Sequence, residues 1–72
     1  MKVLLNSKIY VMSRKQYKEY LKIPEKIVER GIYAIEKGDI AEMKNDVFGS
    51  NEELMENVAA YAEKGYKVYY NN

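Results

Sequence analysis

Between residues 2 and 11 the side chains alternate. Val3, Leu5, Ser7, Ile9 and Val11 fall on one side, and Lys2, Leu4, Asn6, Lys8 and Tyr10 on the other. A two-residue period marks a half-buried strand. Asn6-Ser7 offers a second reading, in which the chain turns there as a tight hairpin. Asparagine suits the positive φ of such turns, whereas serine is a poor replacement for the usual glycine. The pattern alone is compatible with one long strand or with a hairpin.

From Ser13 the period becomes helical. Ser13 and Gln16 have the spacing of a capping box. Tyr17, Tyr20, Leu21, Pro24, Ile27, Val28 and Gly31 then form one stripe. Arg14, Lys15, Lys18, Lys22, Lys26 and Arg30 lie opposite, with Glu19, Glu25 and Glu29 among them. A proline inside a helix costs about 3 kcal/mol, so the helix is expected to kink or restart at Pro24. Ile32 and Tyr33 leave the stripe, which makes Gly31 the expected C-terminal cap.

Residues 32–36 and 40–48 read as two strands. Lys37-Gly38-Asp39 links them as a short hairpin with glycine in the left-handed position. A helical reading of 33–43 competes, because Ala, Ile, Glu, Lys and Met all tolerate helix. Ser50 and Glu53 open a second helix with the same capping spacing. Leu54, Met55, Val58, Tyr61 and Ala62 form its apolar face, and Glu52, Glu53, Glu56 and Glu63 its polar one. Lys64-Gly65 ends it, and 66–70 is a last strand rich in aromatic and β-branched residues.

The chain thus contains one unit twice: strand, serine cap, amphipathic helix, basic residue plus glycine, strand. The order β-α-β-β-α-β in a single domain, residues 1–72, predicts an α+β fold of ferredoxin-like type. Right-handed crossovers in that topology put both helices on one face of an antiparallel sheet. A turn at Asn6-Ser7 would add an N-terminal hairpin strand.

Composition narrows the chemistry. The chain of 72 residues has neither cysteine nor histidine. That excludes disulfides, thiolate metal sites and the commonest general base. Its apolar runs, such as residues 32–35 and 58–62, are far too short to span a bilayer. The expectation is a cytoplasmic protein with no membrane association. The net charge of +1 hides a split. Residues 1–30 carry eight Lys/Arg against three Glu, and residues 31–72 carry four Lys against eight acids. Such asymmetry fits a basic binding arm or two halves that attract each other.

Two stretches, "KVLLNSKIYVMSRKQY" over Lys2–Tyr17 and "GIYAIEKGDIAEMKNDVFGSNEELMENVAAYAEKGYKVYYN" over Gly31–Asn71, resemble small uncharacterised proteins of Gram-positive phages and mobile elements. Shared features are a short N-terminal strand region, a "GIYA" strand and a terminal "GYKVYYN"-like strand. The resemblance implies an accessory protein that acts by binding, and no catalytic residue or cofactor.

Three kinds of contact follow from the residues themselves. Tyr10, Tyr33, Tyr69 and Lys67, with Lys8 and Lys44, are placed to stack bases and hold phosphates if one sheet face is open. Arg14, Lys18, Lys22, Lys26 and Arg30 recur every four residues and form a ridge that could follow a phosphate backbone. The bland alternatives are ordinary strand tyrosines and a solvated helix face. Protein–protein contact, including a homodimer, is the leading expectation, because sheet edges in so short a domain invite strand addition and tyrosine suits interfaces. Inhibition of a host factor is one form of it. Catalysis is not expected: no carboxylates converge, and Asp39, Glu42 and Asp46 match no metal-loop spacing.

Overall fold

The computed structural model describes residues 1–22 and 30–72. The elements run β1 (Lys2–Leu5), β2 (Lys8–Val11), α1 (Arg14–Lys22), β3 (Gly31–Lys37), β4 (Ile40–Val47), α2 (Asn51–Glu63) and β5 (Lys67–Asn71). The expected break at Pro24 lies outside the described residues.

Local signals decide the turns. Asn6 and Ser7 both have positive φ, 50° and 66°, so β1 and β2 form a hairpin on a type I′ turn. Ser7 adopts this left-handed conformation without glycine's freedom, which costs an L-residue about 1–2 kcal/mol. Ser7→Gly is therefore expected to stabilise the domain by about 1 kcal/mol in chemical denaturation. No gain would mean that the turn is not held in this form. Residues 33–43 are a hairpin, with Lys37 opposite Ile40 and Gly38 at φ 60°. Both helix starts carry the expected caps. Gln16 N donates to Ser13 Oγ at 3.2 Å, and Ser13 N to Gln16 Oε1 at 3.0 Å. Glu53 N donates to Ser50 Oγ at 3.2 Å.

The two glycines expected to end the helices are not equivalent. Gly65, at φ 90°, closes α2 in a Schellman arrangement. Tyr66 N donates to Tyr61 O and Gly65 N to Ala62 O, while the Tyr61 and Tyr66 rings meet edge to face at 5.9 Å. Gly31 is not a left-handed cap; it is the buried first residue of β3, opposite Val47 and Asn71.

The sheet order is β2-β1-β4-β3-β5. β1 and β4 are parallel, and the other neighbours are antiparallel. This is an α+β fold with a five-stranded mixed sheet, not the ferredoxin-like order. The hairpin strand β2 occupies the outer side of β1, and β5 pairs with the far edge of β3. Both crossovers, β2-α1-β3 and β4-α2-β5, therefore step the same way across the sheet, from strands that run in opposite directions. Equal handedness then puts the two helices on opposite faces.

The cores agree with this layering. Val3, Tyr17 and Ala41 pack with Met1, Met12, Leu21 and Met43 under α1. Ile32, Ile35 and Leu54 pack with Phe48, Val58, Tyr61, Tyr66 and Val68 under α2. Glu36 lies opposite Ala41, and Ile35 opposite Glu42, so neighbouring residues of β3 and β4 serve different helices. Consequently β3 is buried on both faces from Gly31 to Ile35.

Candidate interaction surface

Four of the eight sequence-derived contact residues meet on the α1 face. Arg14 opens α1 and reaches Glu36 of β3 at 3.9 Å and the Gly38 carbonyl at 3.4 Å. Lys67 of β5 lies opposite Glu36 and holds its ammonium 5.1 Å from the centre of the Tyr69 ring. Tyr69 packs against Tyr33 at 6.1 Å. Tyr17 and Glu36, neither of them anticipated as part of a site, complete the group. Neither Tyr17 Oη nor Glu36 Oε2, both shielded from solvent, makes a well-formed hydrogen bond among the described residues. Burial, and next the Glu36 carboxylate beside it, push the Tyr17 hydroxyl far above its ordinary pKa. The Tyr69 hydroxyl raises the pKa of Lys67.

This cluster is mostly internal. Tyr33 is 7% exposed, so its ring offers no stacking surface. The open sheet face that base stacking requires does not exist in the expected form. Tyr10, Lys8, Lys67 and Tyr69 share the face that carries α1, while Lys44 lies on the other face. There its ammonium is 5.5 Å from the Tyr61 ring centre and 3.9 and 3.7 Å from Glu42 and Asp46. Burial alone would lower the pKa of Lys44. The Tyr61 hydroxyl and the two carboxylates outweigh it, and the net shift is upward.

The remaining candidates are dispersed. Lys18 and Lys22 are exposed on the outer surface of α1, and Lys22 pairs with Glu19 at 3.6 Å. Lys26 lies outside the described residues. Tyr10 stands alone on β2, 44% exposed.

A different surface is more open. β2 is an edge strand, exposed along its whole length. Ile9 lies opposite Leu4 and Val11 opposite Lys2, and Lys2 lies beside Ile40 of β4. These residues share the face on which α2 sits. Yet α2 packs mainly on β3 and β5 and meets β4 through Tyr61 and Lys44, so among the described residues it leaves β2, β1 and the Ile40 end of β4 uncovered on that face. Ile9, Val11 and Ile40 are 69%, 82% and 59% exposed.

Backbone parity at this edge follows from the turn. Leu5 and Lys8 flank a two-residue loop and so exchange hydrogen bonds, as do alternate pairs along the ladder. At its far end, Met12 N donates to Met1 O at 2.9 Å and Met1 N to Met12 O at 2.7 Å. Lys8, Tyr10 and Met12 thus face β1 with their backbone groups. The N–H and C=O of Ile9 and Val11 point away from the sheet.

Where β1 ends and β4 runs on, a cleft of about 440 Å³ opens, lined by Leu4, Leu5, Asn6, Ser7 and residues 42–45. Its one carboxylate, Glu42, is held by Lys44. Among the described residues no three acidic side chains converge as metal ligands, and no helix is long and apolar enough to cross a membrane. Searches against protein-family models, curated proteins and solved structures find no match to this chain.

Proposed function

We propose that this protein is a non-catalytic binding module that acts by protein–protein contact. The observation that carries the reading is the bare edge of β2, flanked by exposed Ile9, Val11 and Ile40. Isolated proteins manage such edges with charges, prolines or bulges. β2 carries one lysine, at its turn end, and pairs with β1 in unbroken register. Apolar side chains on one face beside unpaired backbone groups suit strand addition, in which main-chain bonds supply affinity and alternate side chains supply selectivity. The resemblance to phage and mobile-element proteins fits an accessory or regulatory role, including inhibition of a host factor.

Single-stranded nucleic acid is the competing partner. It is favoured by Lys2, Lys8, Lys15 and Lys18, which have no carboxylate within 4 Å among the described residues. It is disfavoured by the burial of Tyr33 and by the Lys67 ammonium over Tyr69.

The test is an Ile9→Lys/Val11→Lys double variant whose circular dichroism matches the wild type. Protein contacts made by the wild type, with itself or with another chain, are expected to be lost. Contacts that survive the substitution would sink the reading. So would saturable, salt-sensitive anisotropy changes with labelled oligonucleotides in a protein that makes no protein contact.

A further inference from the structure

We infer that the occupant of the β2 edge is a second copy of the same chain, joined antiparallel about a two-fold axis at Tyr10. The inference rests on the protein-contact reading and specifies its partner.

Parity selects the register. In an antiparallel pair, residues directly opposite point to the same face. A two-fold axis through a residue keeps each face of one sheet continuous with the matching face of the other. An axis midway between two residues would set apolar against polar faces. Of the axes that pass through a β2 residue, the one at Tyr10 places Ile9 opposite Val11 of the second copy, and Val11 opposite Ile9. Ile9 and Val11 are the residues whose N–H and C=O point outward, so all four groups on each strand find partners. Tyr10 then meets its own symmetry mate as a non-hydrogen-bonded pair. The lysines at position 8 fall opposite Met12, not opposite each other.

Side chains support the same arrangement. The exposed row of Val11 and Ile40 around Lys2, and of Ile9 beside Leu4, would continue across the axis into its copy. Two half-covered faces become one apolar strip across a ten-stranded sheet. The edge at β5 is less suited, because its exposed positions are Lys67 and Tyr70. A contact of β2 with itself also closes, whereas β2 against β5 would propagate as a fibre. A domain with only eight buried apolar residues among those described gains from such burial.

The absence of cysteine gives a clean assay. Opposed Cα atoms of a non-hydrogen-bonded antiparallel pair are about 4.5 Å apart, within the range a disulfide spans. Tyr10→Cys should form a linked dimer rapidly under mild oxidation. Ile9→Cys and Lys8→Cys should not, since two and four residues of stagger set their mates about 7 and 14 Å apart along the strand. Sedimentation of the wild type across a concentration series should show a monomer–dimer equilibrium. Val11→Lys should raise its dissociation constant about 100-fold, tenfold for each of the two symmetry-related positions.

A wild type that stays monomeric throughout overturns the dimer. Linking at Ile9 in place of Tyr10 overturns the register, and equal linking at all three positions overturns the contact. A monomer that loses contact with another protein through Ile9→Lys/Val11→Lys overturns this inference alone and leaves the binding reading standing. Loss of both removes the two together.

Discussion

Leu54→Ala is expected to cost about 3–5 kcal/mol, the range for a fully buried leucine truncated in a packed core. Leu54 has no exposed surface and joins α2 to Ile32 and Ile35 of β3. No other α2 residue is fully buried. A domain of this size holds only some 4–11 kcal/mol in all. The variant should therefore melt about 15 °C or more below the wild type, or lose its cooperative transition. Met55→Ala is the control. The sequence pattern puts Met55 on the same apolar face, but it is 38% exposed and should cost under about 1 kcal/mol. Thermal unfolding followed by circular dichroism compares the two. Equal losses would mean that α2 is not seated on β3 through Leu54.

That contrast shows how far the sequence could be read. The caps at Ser13 and Ser50, the Gly38 hairpin and the Gly65 stop each depend on a few adjacent residues, and each is where the pattern puts it. At Asn6-Ser7 the pattern is ambiguous, because the same alternation serves a long strand or a hairpin. A type I′ turn with serine in place of glycine is strained and therefore weakly signalled. The apolar face of α2 is narrower than its sequence stripe, since Met55 and Ala62 lie toward solvent while Leu54, Val58 and Tyr61 face the sheet.

The layer arrangement was harder. Right-handed crossovers are compatible with helices on one face or on two; the outcome turns on which edge the last strand takes. That choice is made by long-range pairing of β5 with β3, which no local spacing encodes. A signal was present nonetheless. Alternation marks a strand with one wet face, whereas a continuous apolar run marks a strand covered on both. "GIYAI" is such a run, and Gly31 to Ile35 are all buried. A strand covered on both sides calls for a helix on each face. The interaction surface moved with it. Tyr33 lies inside, Tyr69 lies under Lys67, and Ile9, Val11 and Ile40 are among the most exposed apolar residues.

The buried tyrosine of this arrangement makes the fold sensitive to alkali. Tyr17 is 2% exposed, and burial together with Glu36 holds its hydroxyl protonated well above the ordinary value of 10. Above pH 10 the unfolded chain loses this proton and the folded chain keeps it. Folding then binds a proton, so stability falls as pH rises, by up to about 1.4 kcal/mol per pH unit for one group. The contribution is complete below pH 10 and is lost progressively above it. Lys44 acts in the same direction. Its folded pKa lies above 10.5, so the stability it lends is complete below that pH and is lost on rising through the folded value. Denaturant titrations at pH 8, 10 and 11 should show a flat region followed by a steep decline. Tyr17→Phe should make the decline shallower by nearly one proton and leave the part due to Lys44. Unchanged stability between pH 8 and 11, or an identical slope in Tyr17→Phe, would mean that water reaches the Tyr17 hydroxyl and that α1 is not closed over Glu36.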